Sequence, residues 1–283
     1  MISRDIAVPD LKSISKRILK RVHLYERAKA STVYDLYWKL ADKKIIDDRN
    51  REVAFYKHVL KGFRAGDLIF DIGANEGFKT DIFLRLGAQV IAVDPDEVNQ
   101  TALREKFLTY RIAKKPVCVV GKAVSDGNGS ARLWIDQPGS AKNTLSDKWV
   151  NVLEVDDKRF NARLSFDHSV VVETTTLDDL MKQYGLPFFV KIDVEGHEVN
   201  VLRGLRRPVP YLSFEVNLPQ FRSEGLQCVE LLEELAREGR FNYAVSSDYP
   251  KLAGDWVKGQ RFRDVLRNCG AESIEVFWQT TRR

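Results

Sequence analysis

The feature that most constrains this chain is Phe70-Asp71-Ile72-Gly73-Ala74-Asn75-Glu76-Gly77, a glycine turn closing a short apolar run. Five such runs, Leu68–Ile72, Val90–Val93, Val117–Val120, Phe188–Ile192 and Tyr211–Val216, alternate with stretches of helical periodicity. Short runs without polar alternation read as strands covered on both faces, which requires crossover helices and a parallel sheet. Two later segments, Phe241–Val245 and Ile274–Trp278, alternate more and read as a closing antiparallel hairpin. Glycines at the carboxyl end of the first strand let backbone approach a ligand where open α/β sheets bind cofactors.

The turn excludes two common ligands. A dinucleotide fingerprint needs glycines at positions 73, 75 and 78, but Asn75 and Phe78 stand there. No Gly-Lys-Ser/Thr follows, so a Walker loop is absent as well. What remains is a carboxylate at the strand end, a glycine turn and an asparagine. That set suits a cationic cofactor without a pyrophosphate, such as S-adenosylmethionine. Val93-Asp94-Pro95 ends the second run, and an acid at that point accepts hydrogen bonds from a ribose diol.

A second constellation, Lys191-Ile192-Asp193-Val194-Glu195-Gly196-His197-Glu198, follows the apolar residues Phe188–Val190. Alternation sends Lys191, Asp193 and Glu195 toward one edge, and burying charges there without purpose is costly. The next strand ends in Glu215-Val216-Asn217. Two devices for deprotonating a hydroxyl are open. His197, Glu195 or Asp193 serves as general base, or Asp193, Glu215 and Asn217 hold a hard divalent cation, Mg²⁺ or Ca²⁺.

Asp71–Gly77, Val93-Asp94-Pro95 and Lys191–Glu198, in this order, resemble the FkbM-type methyltransferase family over roughly residues 50–280. The resemblance implies a Rossmann-like class I methyltransferase, with a seven-stranded, mostly parallel sheet and a C-terminal antiparallel hairpin. It implies S-adenosylmethionine-dependent O-methylation of a hydroxyl on a sugar, glycolipid, polysaccharide or related natural product. Carried over by position, Asp71, Gly73, Asn75 and Gly77 lie along the methionine part of the cofactor. Asp94 holds the ribose, backbone near Ala123 edges the adenine, and Asp193 faces the reacting centre.

Nucleic-acid methylation is disfavoured. No Asn/Asp-Pro-Pro-Tyr/Phe run and no Pro-Cys occurs, and acidic strand ends repel phosphate. The net charge of +5 looks basic, but residues 1–30 hold eight basic and three acidic side chains. That arm accounts for the whole excess, and residues 31–283 carry 37 of each sign. A non-catalytic adaptor docking through the arm is the other rival, and the intact glycine turn with Asp94 argues against it.

The expected organisation is a helical extension over residues 1–62, then a catalytic domain over 63–283. Leu11, Ile14, Ile18 and Val22 recur at helical spacing between Lys and Arg, a basic amphipathic helix at 11–29. It packs on the body or on a second copy as a homo-oligomer, or lies on an anionic membrane surface. A second helix starts near Ser31, and a third covers Arg51–Leu60. Residues 126–175 form an insertion, a lid, a substrate loop or a plain surface excursion, in which Ser140, Asn143 and Trp149 are candidate sugar contacts. Gly225 precedes a helix that Gly239 ends. Cys118, Cys228 and Cys269 form no metal or disulfide pattern, and no apolar run reaches the roughly 20 residues of a membrane span. Charges interrupt the N-terminus, so no secretory signal is read there. A cytoplasmic protein is expected, at the membrane's inner face if the arm lies on lipid.

Overall fold

A computed structural model describes residues 43–112, 116–155, 164–246 and 250–280. The basic helix at 11–29 and the helix near Ser31 lie outside the described residues. The main sheet is built from β1 (Leu68–Ile72), β2 (Gln89–Val93), β3 (Val117–Val120), β7 (Phe189–Ile192), β8 (Tyr211–Asn217), β9 (Arg240–Val245), β10 (Val257–Lys258) and β11 (Ser273–Gln279). Their order is β10-β9-β11-β8-β7-β1-β2-β3. β3, β2, β1, β7 and β8 run parallel, while β11 lies antiparallel between β8 and β9. The expected class holds, with the two-residue edge strand β10 added as an eighth. The closing pair is not joined by a tight turn, because β10 and helix α9 (Gly259–Asn268) lie in the connection.

Helices cover both faces, which is why the central strands carry almost no polar alternation. On one face α1 (Lys43–Val59) and α2 (Phe78–Leu86) pack Tyr56 and Phe83 against Ile69, Phe189 and Phe277. Tyr56 meets Phe83 edge-on, with centroids 5.0 Å apart. On the other face Phe70, Val190, Leu212 and Phe214 meet α6 (Leu177–Tyr184), α7 (Glu198–Arg203), α8 (Arg222–Leu235) and α9. The third expected helix thus begins at Lys43 instead of Arg51 and belongs to the core of the sheet.

Two other readings change. Gly225 lies inside α8, where a Cβ would stand 2.8 Å from Val216 Cγ1. It allows close helix–strand approach and does not mark the start. Gly239 lies beyond the end of α8 at Leu235 and gives way to the Trp278 indole, whose Nε1 a Cβ would meet at 2.3 Å. The capping pattern at Thr176 is observed, its hydroxyl accepting from the Asp179 N–H at 3.1 Å. Gly185 then closes α6.

The insertion supplies β5 (Gly129–Ile135) and β6 (His168–Thr175), an antiparallel pair that forms a small sheet with β4 (Ala123–Val124) just before it. Its polar middle also holds a helix, α5 (Asp147–Val155), that buries Trp149, Val150 and Leu153. Between β2 and β3 run α3 (Glu97–Lys106) and α4 (Leu108–Ile112).

Tyr56 is fully buried, so Tyr56→Ala should cost about 3–5 kcal/mol. A urea midpoint unchanged to within about 1 kcal/mol would show that α1 is dispensable to the body.

Candidate active site

The chain leaves β1 toward β2 and β3 and later returns to β7 on the opposite side, so β1 and β7 flank a topological switch point. Crevices at such points bind ligands. Here the two strand-end turns touch. The Asp193 N–H donates to the Ile72 carbonyl at 2.9 Å. Gly73 has φ +78, and a Cβ on it would stand 1.8 Å from the Asp193 carbonyl oxygen. Only glycine fits there.

The first turn is held mainly by backbone. The Gly73 and Ala74 N–H groups donate to the Val93 carbonyl at 2.9 and 3.1 Å. The Asn75 N–H donates to Asp94 Oδ2 at 2.8 Å, and Asn75 itself has φ 48, a region asparagine tolerates. Asp94 Oδ1 accepts from the Asp96 N–H at 3.0 Å and from Asn99 Nδ2 at 3.2 Å. Burial pushes the Asp94 carboxyl up to about 6 against these donors. Gly73, Asn75, Asp94, Ala123, Asp193, Glu195 and His197 all line one cavity of about 60 Å³.

Asp71 and Gly77 are not on that wall. Asp71 is buried on the α2 side of the sheet, where the Thr80 hydroxyl donates to it at 2.6 Å and Lys191 is its strand neighbour. Gly77 has φ +77, and a Cβ there would strike Leu103 and Phe107 at 2.6 and 2.7 Å. Its freedom serves packing.

At the second turn Lys191 is 2% exposed and its Nζ donates to Asp193 Oδ2 at 2.7 Å. Burial opposes that charge, but Asp193, Glu275 and Asp71 hold the ammonium well above its usual range. Carboxylate oxygens of Asp193, Glu195 and Glu215 lie within 4.8 Å of one another. Burial, then the Glu215, Asp193 and Glu198 charges, push Glu195 well above the carboxylate range. Glu215 rises to about 7 through burial and Asp193, opposed by the Ser273 hydroxyl that donates to it at 2.6 Å. Glu198 rises to about 8, chiefly by burial, while accepting from the Val194 and Gly196 N–H groups at 3.3 Å each. The cluster therefore meets its mutual repulsion with protons and with the Lys191 ammonium. Asn217 turns its Nδ2 to Glu215 Oε2 at 3.3 Å.

His197 heads α7 without capping it. Its Nε2 lies 3.0 Å from the Ser125 hydroxyl. Burial holds the imidazole below its ordinary value, and the Asp126 carboxylate partly offsets that.

A strap from the insertion crosses the cavity. The Asn143 amide and the Gly139 N–H donate to Asp96 Oδ2 at 2.7 and 2.9 Å. Asn75 Nδ2 reaches the Gly139 carbonyl at 3.3 Å, and the Thr144 hydroxyl the Glu195 carbonyl at 2.6 Å. Ser140 and Asn143 line the cavity as expected. Trp149 does not. It is fully buried and packs edge-on against Phe221, with centroids 5.2 Å apart, so it offers no face to a sugar. Asp96 was missed in the sequence, although an acid directly before an amphipathic run is an N-cap signal; its Oδ1 accepts from the Val98 N–H at 2.8 Å.

Glu198 and Glu215 keep protons in the folded chain that the unfolded chain releases above about pH 4.3. Stability is therefore greatest below that value and falls as pH rises through 7 and 8, the folded-state values. Glu198→Gln should leave thermal melting near pH 4 unchanged and raise the midpoint at pH 9 by more than about 3 °C. An equal shift at both pH values would contradict the assignment.

Residues 71–271 match the model of the methyltransferase FkbM domain. A comparison with curated proteins returns no match. Among solved structures, methyltransferase FkbM from Methylobacillus flagellatus KT is similar at 16% identity and TM-score 0.48, covering 78% of this chain and 46% of that one. This chain thus spans less than half of that relative's length. A precorrin-6y C5,15-methyltransferase from Geobacter metallireducens GS-15 is similar at 8% identity and TM-score 0.41, covering 82% and 88%. A SAM-dependent methyltransferase from Agrobacterium tumefaciens aligns at 9% identity and TM-score 0.41, covering 83% and 62%. With its domain match spanning well over half of its length, the chain belongs to the FkbM methyltransferase family.

Proposed function

We propose that this chain is an S-adenosylmethionine-dependent O-methyltransferase acting on a hydroxyl of a sugar, glycolipid, polysaccharide or related natural product. The observation that carries the reading is the meeting of the Gly73 and Asp193 turns in one cavity with Asp94 and His197. Asp94 offers a carboxylate to a ribose diol, and the turn at Gly73–Asn75 offers backbone to a methionine moiety. Asp71 acts at one remove, by fixing Lys191 and through it Asp193. S-adenosylmethionine supplies a methyl group on a sulfonium, open to in-line attack. The chain's part is to align the acceptor oxygen, worth about 7–11 kcal/mol, and to take its proton.

His197 suits that proton transfer. Burial favours its neutral form, while the alternative base Glu195 is pushed toward protonation and the other, Asp193, is held by the Lys191 ammonium. A divalent cation on Asp193, Glu215 and Asn217 is the weaker reading, because Lys191 already holds Asp193 and the Asn217 amide nitrogen faces Glu215. The acidic surroundings favour a neutral acceptor over a phosphate backbone. No helix among the described residues is long and apolar enough to cross a membrane. Contact with a lipid-linked acceptor would fall to residues 11–29.

The cavity of about 60 Å³ is smaller than the roughly 300 Å³ at which ligand sites begin. A neighbouring groove of about 470 Å³ shares Pro95, Asp96 and Leu133 with it and lies across the strap at Pro138. Cofactor access on this reading lifts the strap and joins the two volumes. Asn143→Ala should therefore raise the association rate of S-adenosylmethionine in stopped flow; an unchanged rate would leave the strap without a role.

Calorimetry with S-adenosylmethionine tests the reading directly. Binding is expected, weakened at least tenfold in Asp94→Ala, and its absence in the parent protein at millimolar ligand would refute the proposal. With labelled donor and extract of a deletion strain, label should enter glycan or lipid. Label in RNA would refute the acceptor class. His197→Ala should lower transfer about 10²–10⁴-fold with donor binding intact, and EDTA should leave the rate unchanged.

A further inference from the structure

We propose that Ser125 and Asp126 form a proton wire that fixes the tautomer of His197 and carries its proton to solvent. The inference rests on His197 as the base in the function proposed above. Ser125 follows β4, is buried at 7% exposure, and stands 3.0 Å from His197 Nε2. Its hydroxyl donates to Asp126 Oδ1 at 3.2 Å. A hydroxyl has one proton, and this one is committed to the carboxylate, so Ser125 Oγ must accept from His197. That places the imidazole proton on Nε2 and leaves the lone pair on Nδ1. Because His197 lines the cavity, Nδ1 is the ring nitrogen left to an acceptor hydroxyl.

Asp126 is exposed at the turn between β4 and β5, so the wire starts at the cavity and ends in water. Other charged groups share the cavity wall: Lys122 before β4, Asp94 and Asp96 after β2, and Asp193 and Glu195 on the loop leading to His197. Against the lowering by burial, Asp126 is the charge that raises the imidazole toward protonation.

The proton balance closes. As the acceptor oxygen bonds to the methyl carbon and the carbon–sulfur electron pair stays on sulfur, the hydroxyl proton passes to Nδ1. The imidazolium then releases its Nε2 proton to Ser125 Oγ, whose own proton moves to Asp126 and on to water. The ring is left with its proton on Nδ1 and returns to the starting tautomer by exchange with solvent.

The chain has four histidines, so ¹⁵N-histidine spectra can be assigned by comparison with His197→Ala. In the parent protein the His197 ring should be the Nε2–H tautomer, with Nε2–H exchanging readily with solvent. Asp126→Asn, at an exposed site, should keep that tautomer and slow the exchange about tenfold or more, the net worth of one hydrogen bond to a charged group. Ser125→Ala should yield a mixture of tautomers. An Nδ1–H ring in the parent protein, or unchanged exchange in Asp126→Asn, overturns the wire. These readouts need neither donor nor acceptor. A protein that shows them and binds no S-adenosylmethionine would overturn the functional reading and leave the wire standing.

Discussion

The contact between Gly73 and the Asp193 carbonyl organises the rest of the site. Two parallel strands that diverge at a switch point leave an open crevice, and here it is drawn closed at its base by backbone alone. A side chain at position 73 would force β1 and β7 apart. With it would go the spacing between Asp94, held by the first turn, and the carboxylates of the second. Rigid backbone at this point fixes the spacing of the side chains that line the cavity.

The second organising element is buried charge. Lys191 sits among Asp71, Asp193 and Glu275, and its ammonium is retained because the three carboxylates outweigh the loss of water. Beyond it, Glu195, Glu198 and Glu215 crowd together at a cost that protonation only partly relieves. A core selected for stability alone would not keep such a set. Strain of this kind gathers at functional sites, where the environment divides acids from bases. The same burial that raises the carboxyls lowers His197 and favours its neutral imidazole.

The insertion supplies what the α/β scaffold lacks. The turn after β4 sets Ser125 and Asp126 beside His197, and the insertion's strap ties the Asn75, Asp96 and Glu195 segments together across the cavity. Its helix α5 puts Trp149 under Phe221, anchoring the insertion to the start of α8. One wall of the crevice thus comes from the strand-end turns, and the facing wall from this segment.

The sequence by itself determined the parallel sheet, the two strand-end motifs and most of the cavity wall. Buried strands are uniformly apolar, and tight turns demand glycine or asparagine, so Gly73, Asn75, Asp94 and Asp193 announce themselves locally. Tertiary structure alone decided which way each side chain turns. Asp71 and Gly77 share the glycine motif yet face packing, because strand pleat and helix contacts set direction. Trp149 reads as an exposed sugar platform until a helix buries it. Ser125 has no local signature at all, since what matters about it is a histidine 72 residues further along the chain. Spacing encodes neighbours on one strand or helix; convergence of distant segments depends on how the layers pack.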